Sequence, residues 1–265
     1  MKHTLTLCGQ MALASIRGQM QYRFSFIIGV LGGMFFQGLG IVMIWAILET
    51  FTSLGSWGLA EIALLYGLRL TAHGLYLVFF SSLYAIDDFV REGQYDRLLV
   101  RPVHPLLQLM FTDFRITVLG DLIGGIAILV AALSRIDIEW SAAHVMLITG
   151  AILGGAMLDG AFQILPASLT FRFVESWPAR VVFDDVFSRY GNYPTDIFGG
   201  IGSRVLTFLV PVAFVAWLPA AILLQKETFL PSWTGWLTLP VGIVCMSVAI
   251  TVFMRASRGY QSSGS

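Results

Sequence analysis

Apolar residues run through this chain in six stretches separated by short polar breaks: 24–48, 62–86, 116–133, 145–166, 205–224 and 237–254. Each has the length a lipid bilayer asks for. About 30 Å of hydrocarbon takes roughly 20 residues of helix, because a backbone in lipid has to satisfy its own hydrogen bonds. The pattern predicts an all-α polytopic membrane protein of six transmembrane helices, forming a single domain over 1–265. Ahead of the first span, 1–23 carries an apolar run broken by Gln10, Arg17, Gln19 and Gln21. It reads as an amphipathic interfacial helix on the inner leaflet and not as a cleavable leader.

The polar breaks orient the spans. With the N-terminus inside, thirteen basic residues fall on the cytoplasmic side, only Arg135 and Lys226 fall outside, and Arg69 lies within a span. That asymmetry predicts both termini in the cytoplasm. The outer breaks, 49–61, 134–144 and 225–235, leave no room for an external domain. The inner break at 167–204 is longer and mixes aromatic with charged residues. It reads as the end of the fourth span followed by an interfacial helix broken at Gly191 and Pro194. Within the fifth span, Pro211 and Pro219 remove backbone donors and predict a kink. Glycines four residues apart, Gly29 with Gly33, Gly120 with Gly124 and Gly150 with Gly154, predict close helix approach, within one subunit or between subunits.

The densest charge lies in 87–105, DDFVREGQYDRLLVRPVHP. Asp87, Asp88, Arg91, Glu92, Asp96, Arg97 and Arg101 alternate with Phe89, Val90, Tyr95, Leu98, Leu99 and Val100, and Pro102 and Pro105 close the run. This is the pattern of a short cytoplasmic surface helix with an apolar side, with pairs such as Asp87 and Arg91 in reach of one another. A solvated loop and a docking element both fit the charge pattern.

The segment 91–109, REGQYDRLLVRPVHPLLQL, resembles the loop after the second span of type-2 ATP-binding-cassette exporter permeases, in particular the viologen-exporter-like subgroup. Gly93, Asp96, Leu98, Leu99, Arg101 and Pro102 carry the likeness. A second block, YPTDIFGG at 193–200 followed by LVPVAFVAWLPA at 209–220, is similar to the entry and body of the fifth span in the same subgroup. The resemblance implies the permease subunit of an ABC exporter in a bacterial cytoplasmic (inner) membrane. It implies two copies of a separate ATPase subunit coupled through 87–105 and a second permease chain, related but different, completing the path. The chain itself then needs no cofactor, ATP and Mg being bound by the partner ATPase, and a hydrophobic or cationic small molecule is the implied substrate.

Composition is consistent with that class and excludes others. The chain is 57% hydrophobic and 12% charged, against about 25% charged in soluble domains. Sixteen basic residues balance sixteen acidic ones, which is no footprint for nucleic acid. Cys8 and Cys245 stand alone without metal-ligand spacing. The only lysines, Lys2 and Lys226, do not follow a glycine-rich phosphate loop, so the chain has no ATPase motif of its own, and no hydrolase or zinc motif is present either.

Polar residues inside the apolar wall are the candidate path lining, because a charge at mid-bilayer costs about 2.5–3.5 kcal/mol. Arg69 with His73 and Tyr76 marks a polar and aromatic stripe on the second span. Asp121 and Asp159 are the candidate acids on the third and fourth. Arg69 either lines a path, snorkels outward, or pairs structurally with one of the acids. The main alternative for the whole chain is a secondary carrier driven by an ion gradient, though the two halves show no internal repeat of the kind carriers use.

Overall fold

A computed structural model of the chain describes residues 2–50, 56–100, 103–112, 118–173 and 175–260, with the side chains of all but 2–8, 12, 20, 44 and 47–50. Among the described residues every regular element is helical. In order they are α1 (Lys2–Met20), α2 (Arg23–Thr50), α3 (Leu59–Phe80), α4 (Ile86–Arg91), α5 (Tyr95–Leu99), α6 (Pro105–Thr112), α7 (Leu119–Leu133), α8 (Ala142–Ala167), α9 (Thr170–Phe173), α10 (Trp177–Tyr190), α11 (Gly199–Arg204), α12 (Trp217–Leu223) and α13 (Thr238–Ser257), joined by short single-turn segments.

The long helices pack side by side in the order α2, α7, α3, α8, α13, with α3 at the centre. Lipid is as apolar as leucine, so the association rests on tight van der Waals fit, which small residues permit. A Cβ placed on Gly125 of α7 would sit 2.7 Å from the Thr71 backbone nitrogen of α3, and one on Gly154 of α8 would sit 2.5 Å from the Thr238 carbonyl oxygen at the start of α13. Gly120 meets Val30 of α2 in the same way, at 2.3 Å from its carbonyl oxygen. The glycines at 33, 120, 124 and 154 therefore serve packing within the chain. Beyond that seam, α2 turns an almost continuous apolar face outward, from Phe24 through Phe35 and Phe36 to Met43.

Among the described residues, four helical segments are long and apolar enough to cross a membrane: Arg23–Met43, Leu59–Arg91, Ala142–Phe173 and Ser232–Ser257. They match the first, second, fourth and sixth predicted spans. The expected third span is the 15-residue α7, preceded by 113–117, which lie outside the described residues together with Asp113 and Arg115. The expected fifth span is broken: Thr195–Leu209 and Val212–Leu223 meet at 82°. The break falls at Val210 and Pro211, whereas Pro219 lies in the first turn of α12, where a missing N–H costs nothing.

The largest departure from the sequence reading is α10. Instead of lying across the ends of the spans, it stands alongside them. Trp177 meets Tyr84 at the far end of the α3 segment (6.0 Å between rings), Phe183 and Phe187 pack on Phe162 of α8 (5.5 and 5.4 Å), and Gly191 reaches the Arg69 stem on α3. Its charges averaged its apolarity away, yet two of the four, Arg180 and Asp184, point inward to partners. At the other end of α3, Lys226 pairs with Glu61 (2.7 Å) and sits over the Trp57 ring, closing the break at 225–231.

Candidate functional site

The charged segment 87–105 is an elbow of two helices rather than one. The α3 segment continues through a tight turn, Ser81–Ala85, into α4. Gly93 then reverses the chain at φ 66°, a conformation that favours glycine, and α5 follows. This gives the motif glycine its reason. Arg101 and Pro102 lie outside the described residues. Inward, Ile86, Val90, Tyr95, Leu98, Leu106 and Leu109 share a core with Ile164 and Ala161 of α8 and with Phe253 and Ala249 of α13. Tyr95 is fully buried between Phe171 (4.9 Å) and Tyr260 (5.3 Å), and burial pushes its phenol up to about 12.

Gln108 of α6, which the sequence did not single out, fixes the other side of the elbow. Its buried amide donates to the carbonyls of Leu98 (2.8 Å) and Val103 (2.7 Å). Outward, the elbow presents Asp88, Arg91, Glu92, Arg97, Leu99 and Val100, the last 83% exposed, while Asp96 is half-buried. Arg91 pairs with Asp88, not with Asp87 as the spacing suggested, and an exposed pair of this kind contributes about 0.2–1 kcal/mol at most.

Asp87 is turned inward instead. Its carboxylate accepts from the Ser176 N–H (3.0 Å), the Ser176 hydroxyl (2.6 Å), the Trp177 N–H (3.0 Å) and the Arg180 guanidinium (3.0 Å). A side chain of the elbow thus caps the N-terminus of α10, where free N–H groups and the helix dipole favour a negative charge. Arg180, 2% exposed, also donates to the Leu83 carbonyl and lies over the Trp177 ring. Ser176 followed by Trp177 and Pro178 is a readable helix start, but its distant partner is not encoded locally.

From this clamp a row of polar groups climbs between α3, α8 and α10. Tyr84 is followed by Asp184 of α10, which accepts from Gln163 of α8 (3.5 Å). Tyr76 stacks on Phe80 and tilts against His73. His73 Nδ1 lies 2.7 Å from the carboxylate of buried Asp159, a hydrogen bond that holds the imidazole ring in place. Above it Arg69 is 5% exposed and, among the described residues, pairs with neither acid. Asp121 faces the opposite side of α3, where it accepts from Gln37 of α2 (2.6 Å), and the Tyr66 hydroxyl donates to the Gln37 carbonyl (3.3 Å). The structure thus joins His73, Tyr76 and Asp159 in one row with Arg69 and places Asp121 in a separate lock between α2 and α7. The pairing of Arg69 with Asp121 or Asp159, one of the sequence expectations, is not what the geometry gives.

An all-helical bundle with apolar spans and an exposed charged elbow at one end of its longest apolar segment, Leu59–Arg91, defines a polytopic membrane protein. The family model for ABC-2 family transporter proteins matches residues 34–264, and the chain belongs to that family. It is an ABC transporter permease subunit, a multi-pass protein of the lipid bilayer, and permeases of this kind work with an ATPase subunit. Neither the curated proteins nor the solved structures contain a significant match.

The clamp makes a direct prediction. Asp87→Ala strands a buried guanidinium, at a cost of about 3–5 kcal/mol, and should lower the thermal midpoint of the detergent-purified protein sharply. Removing both charges with Asp87→Ala and Arg180→Leu should recover part of the loss. A single variant as stable as the parent protein would show that the clamp does not hold α10.

Proposed function

We propose that the chain forms half of the translocation path of an exporter and is driven by a separate ATPase docked on the outward side of α4 and α5. The observation that carries this reading is the elbow, in which a turn fixed by Gly93 and a core around Tyr95 and Leu98 hold a charged surface at the end of the longest span. Asp88, Arg91, Glu92, Asp96, Arg97 and Leu99 make up or border the docking face, while Gly93, Leu98 and Asp87 give it its shape and its tie to α10. Two copies of the ATPase, binding ATP and Mg, serve this chain and a second, related permease chain. ATP-driven closure pushes the elbow, and the Asp87 clamp carries that push into α10.

The protein sits in a bacterial cytoplasmic membrane with both termini inside. Supporting this, Lys226 lies beside Glu61 at one end of α3 and Arg97 follows the other end, so the basic cluster and the sparse outer loops fall on opposite faces. Arg69, His73, Tyr76 and Asp159 contribute to the path along α3, and Asp121 borders it at the α2 and α7 seam. The transported compound is a hydrophobic or cationic small molecule.

Reversing charge at the docking face tests the coupling. Asp96→Lys with Arg97→Glu should leave membrane insertion intact and lower substrate-stimulated ATP hydrolysis by the assembled complex by about tenfold, the size expected when a few interface contacts are lost. Undiminished stimulation would remove the elbow from the docking role. The row is tested separately: Arg69→Ala with His73→Gln, whose amide can still donate to Asp159, should keep assembly and basal ATP hydrolysis near the parent level while changing which compounds are exported. A well-assembled double variant with the parent export profile would end the path-lining assignment.

A further inference from the structure

We infer that the cleft enclosed by α3, α6, α8 and α13 is a binding site for an uncharged, planar aromatic molecule that enters sideways from the bilayer. The cleft holds about 440 Å³, within the roughly 300–1,000 Å³ range of small-molecule sites. It borders the polar row, sharing the Tyr76 ring with it, and lies on the α6 and α13 side of α3. Its wall is built from Tyr76, Phe79 and Phe80 together with Met110, Met157 and Met246. Thioethers are polarisable and adaptable and make favourable contacts with ring edges, while flat aromatic faces stack on flat ligands. The combination fits planar aromatic bodies of differing outline.

Charge decides the class of occupant. Among the described residues no aspartate, glutamate, lysine or arginine lines the cleft, so a cation would lose its hydration there without gaining a counter-charge from them. The imidazole of His104, at the α6 end, is the one basic group among the described lining residues, and burial lowers its pKa from the ordinary histidine value, which favours its uncharged form. Leu107 and Leu153 stand exposed at the rim, on the apolar outer surface of the bundle. The mouth therefore faces hydrocarbon, from which an uncharged aromatic solute partitions readily and a charged one does not.

The test reads binding on the permease itself, so its outcome does not depend on how transport is driven. The full chain in phosphatidylcholine nanodiscs is photolabelled with tritiated trifluoromethylphenyl diazirine, and the label is mapped by peptide. Excess unlabelled naphthalene should reduce labelling of the α6, α8 and α13 peptides that hold Met110, Met157 and Met246 by about tenfold, the mark of a saturable site. Labelling of the lipid-facing α2 peptide around Phe35 should not change, and N-methylquinolinium, a planar cation of similar size, should not compete. Leu153→Trp at the rim should abolish the naphthalene-sensitive labelling while the protein elutes as the parent does, with Leu107→Trp as the second filling variant should the first misfold. Labelling of the cleft peptides that naphthalene does not reduce would mean that the groove holds only lipid acyl chains and would overturn the proposal. Equal competition by N-methylquinolinium would overturn the uncharged assignment.

Discussion

The Asp87 carboxylate is the contact on which the elbow end of the molecule depends. It accepts four hydrogen bonds from the start of α10, one of them from a buried guanidinium, and among the described residues no other side chain of the elbow hydrogen-bonds to that helix end. Because charge-assisted bonds are strong and a stranded Arg180 would be costly, α4 and the foot of α10 behave as one mechanical unit. A displacement of the elbow is then a displacement of α10. Gln108 does the corresponding work on the far side by holding α5 against α6, whose Leu107 and Met110 line the apolar cleft. The elbow thus touches the polar row through one contact and the apolar cleft through the other.

Standing α10 upright explains how so many polar side chains are tolerated inside an apolar bundle. Asp184 and Arg180 point toward α3 and α8, where Gln163, Tyr84 and Asp87 meet them, and His73 meets Asp159 one layer higher. Buried polar groups are acceptable only when partnered, and here the partners come from three different helices. Among the described residues Arg69, a charged group of this row, is without an ion-pair partner. It is nearly buried and lies where α10 ends at Gly191 and the broken segment begins at Val212. An unneutralised guanidinium at a helix break is a place where a change of conformation or an arriving ligand has much to gain.

What the sequence reveals and what it hides follow from range. The spans at 24–48, 62–86, 145–166 and 237–254 are legible because bilayer thickness imposes a length that no local detail overrides. Gly93 is legible as a motif, and its positive φ supplies the cause. The fifth span is half legible: Pro211 marks the bend, but the sequence does not say that Pro219 would be absorbed in a first helical turn while the chain folds back through 82°. Helix α10 is misread because a hydropathy average cannot see that its charges face inward and find partners. Those partners, Asp87 with Ser176 and Arg180, His73 with Asp159, and Asp121 with Gln37, lie roughly ninety residues apart in sequence, and nothing in local spacing announces them.

The central claim is that the outward side of α4 and α5 is where an ATPase meets this permease, and proximity tests it most directly. A photoreactive benzoylphenylalanine at Val100, the most exposed apolar residue of the elbow, should form an adduct with the ATPase subunit in the assembled complex. The same group at Trp233, exposed at the opposite end of the bundle, should form none. An assembled complex in which position 100 gives no adduct, or in which position 233 gives an equal one, would contradict the account.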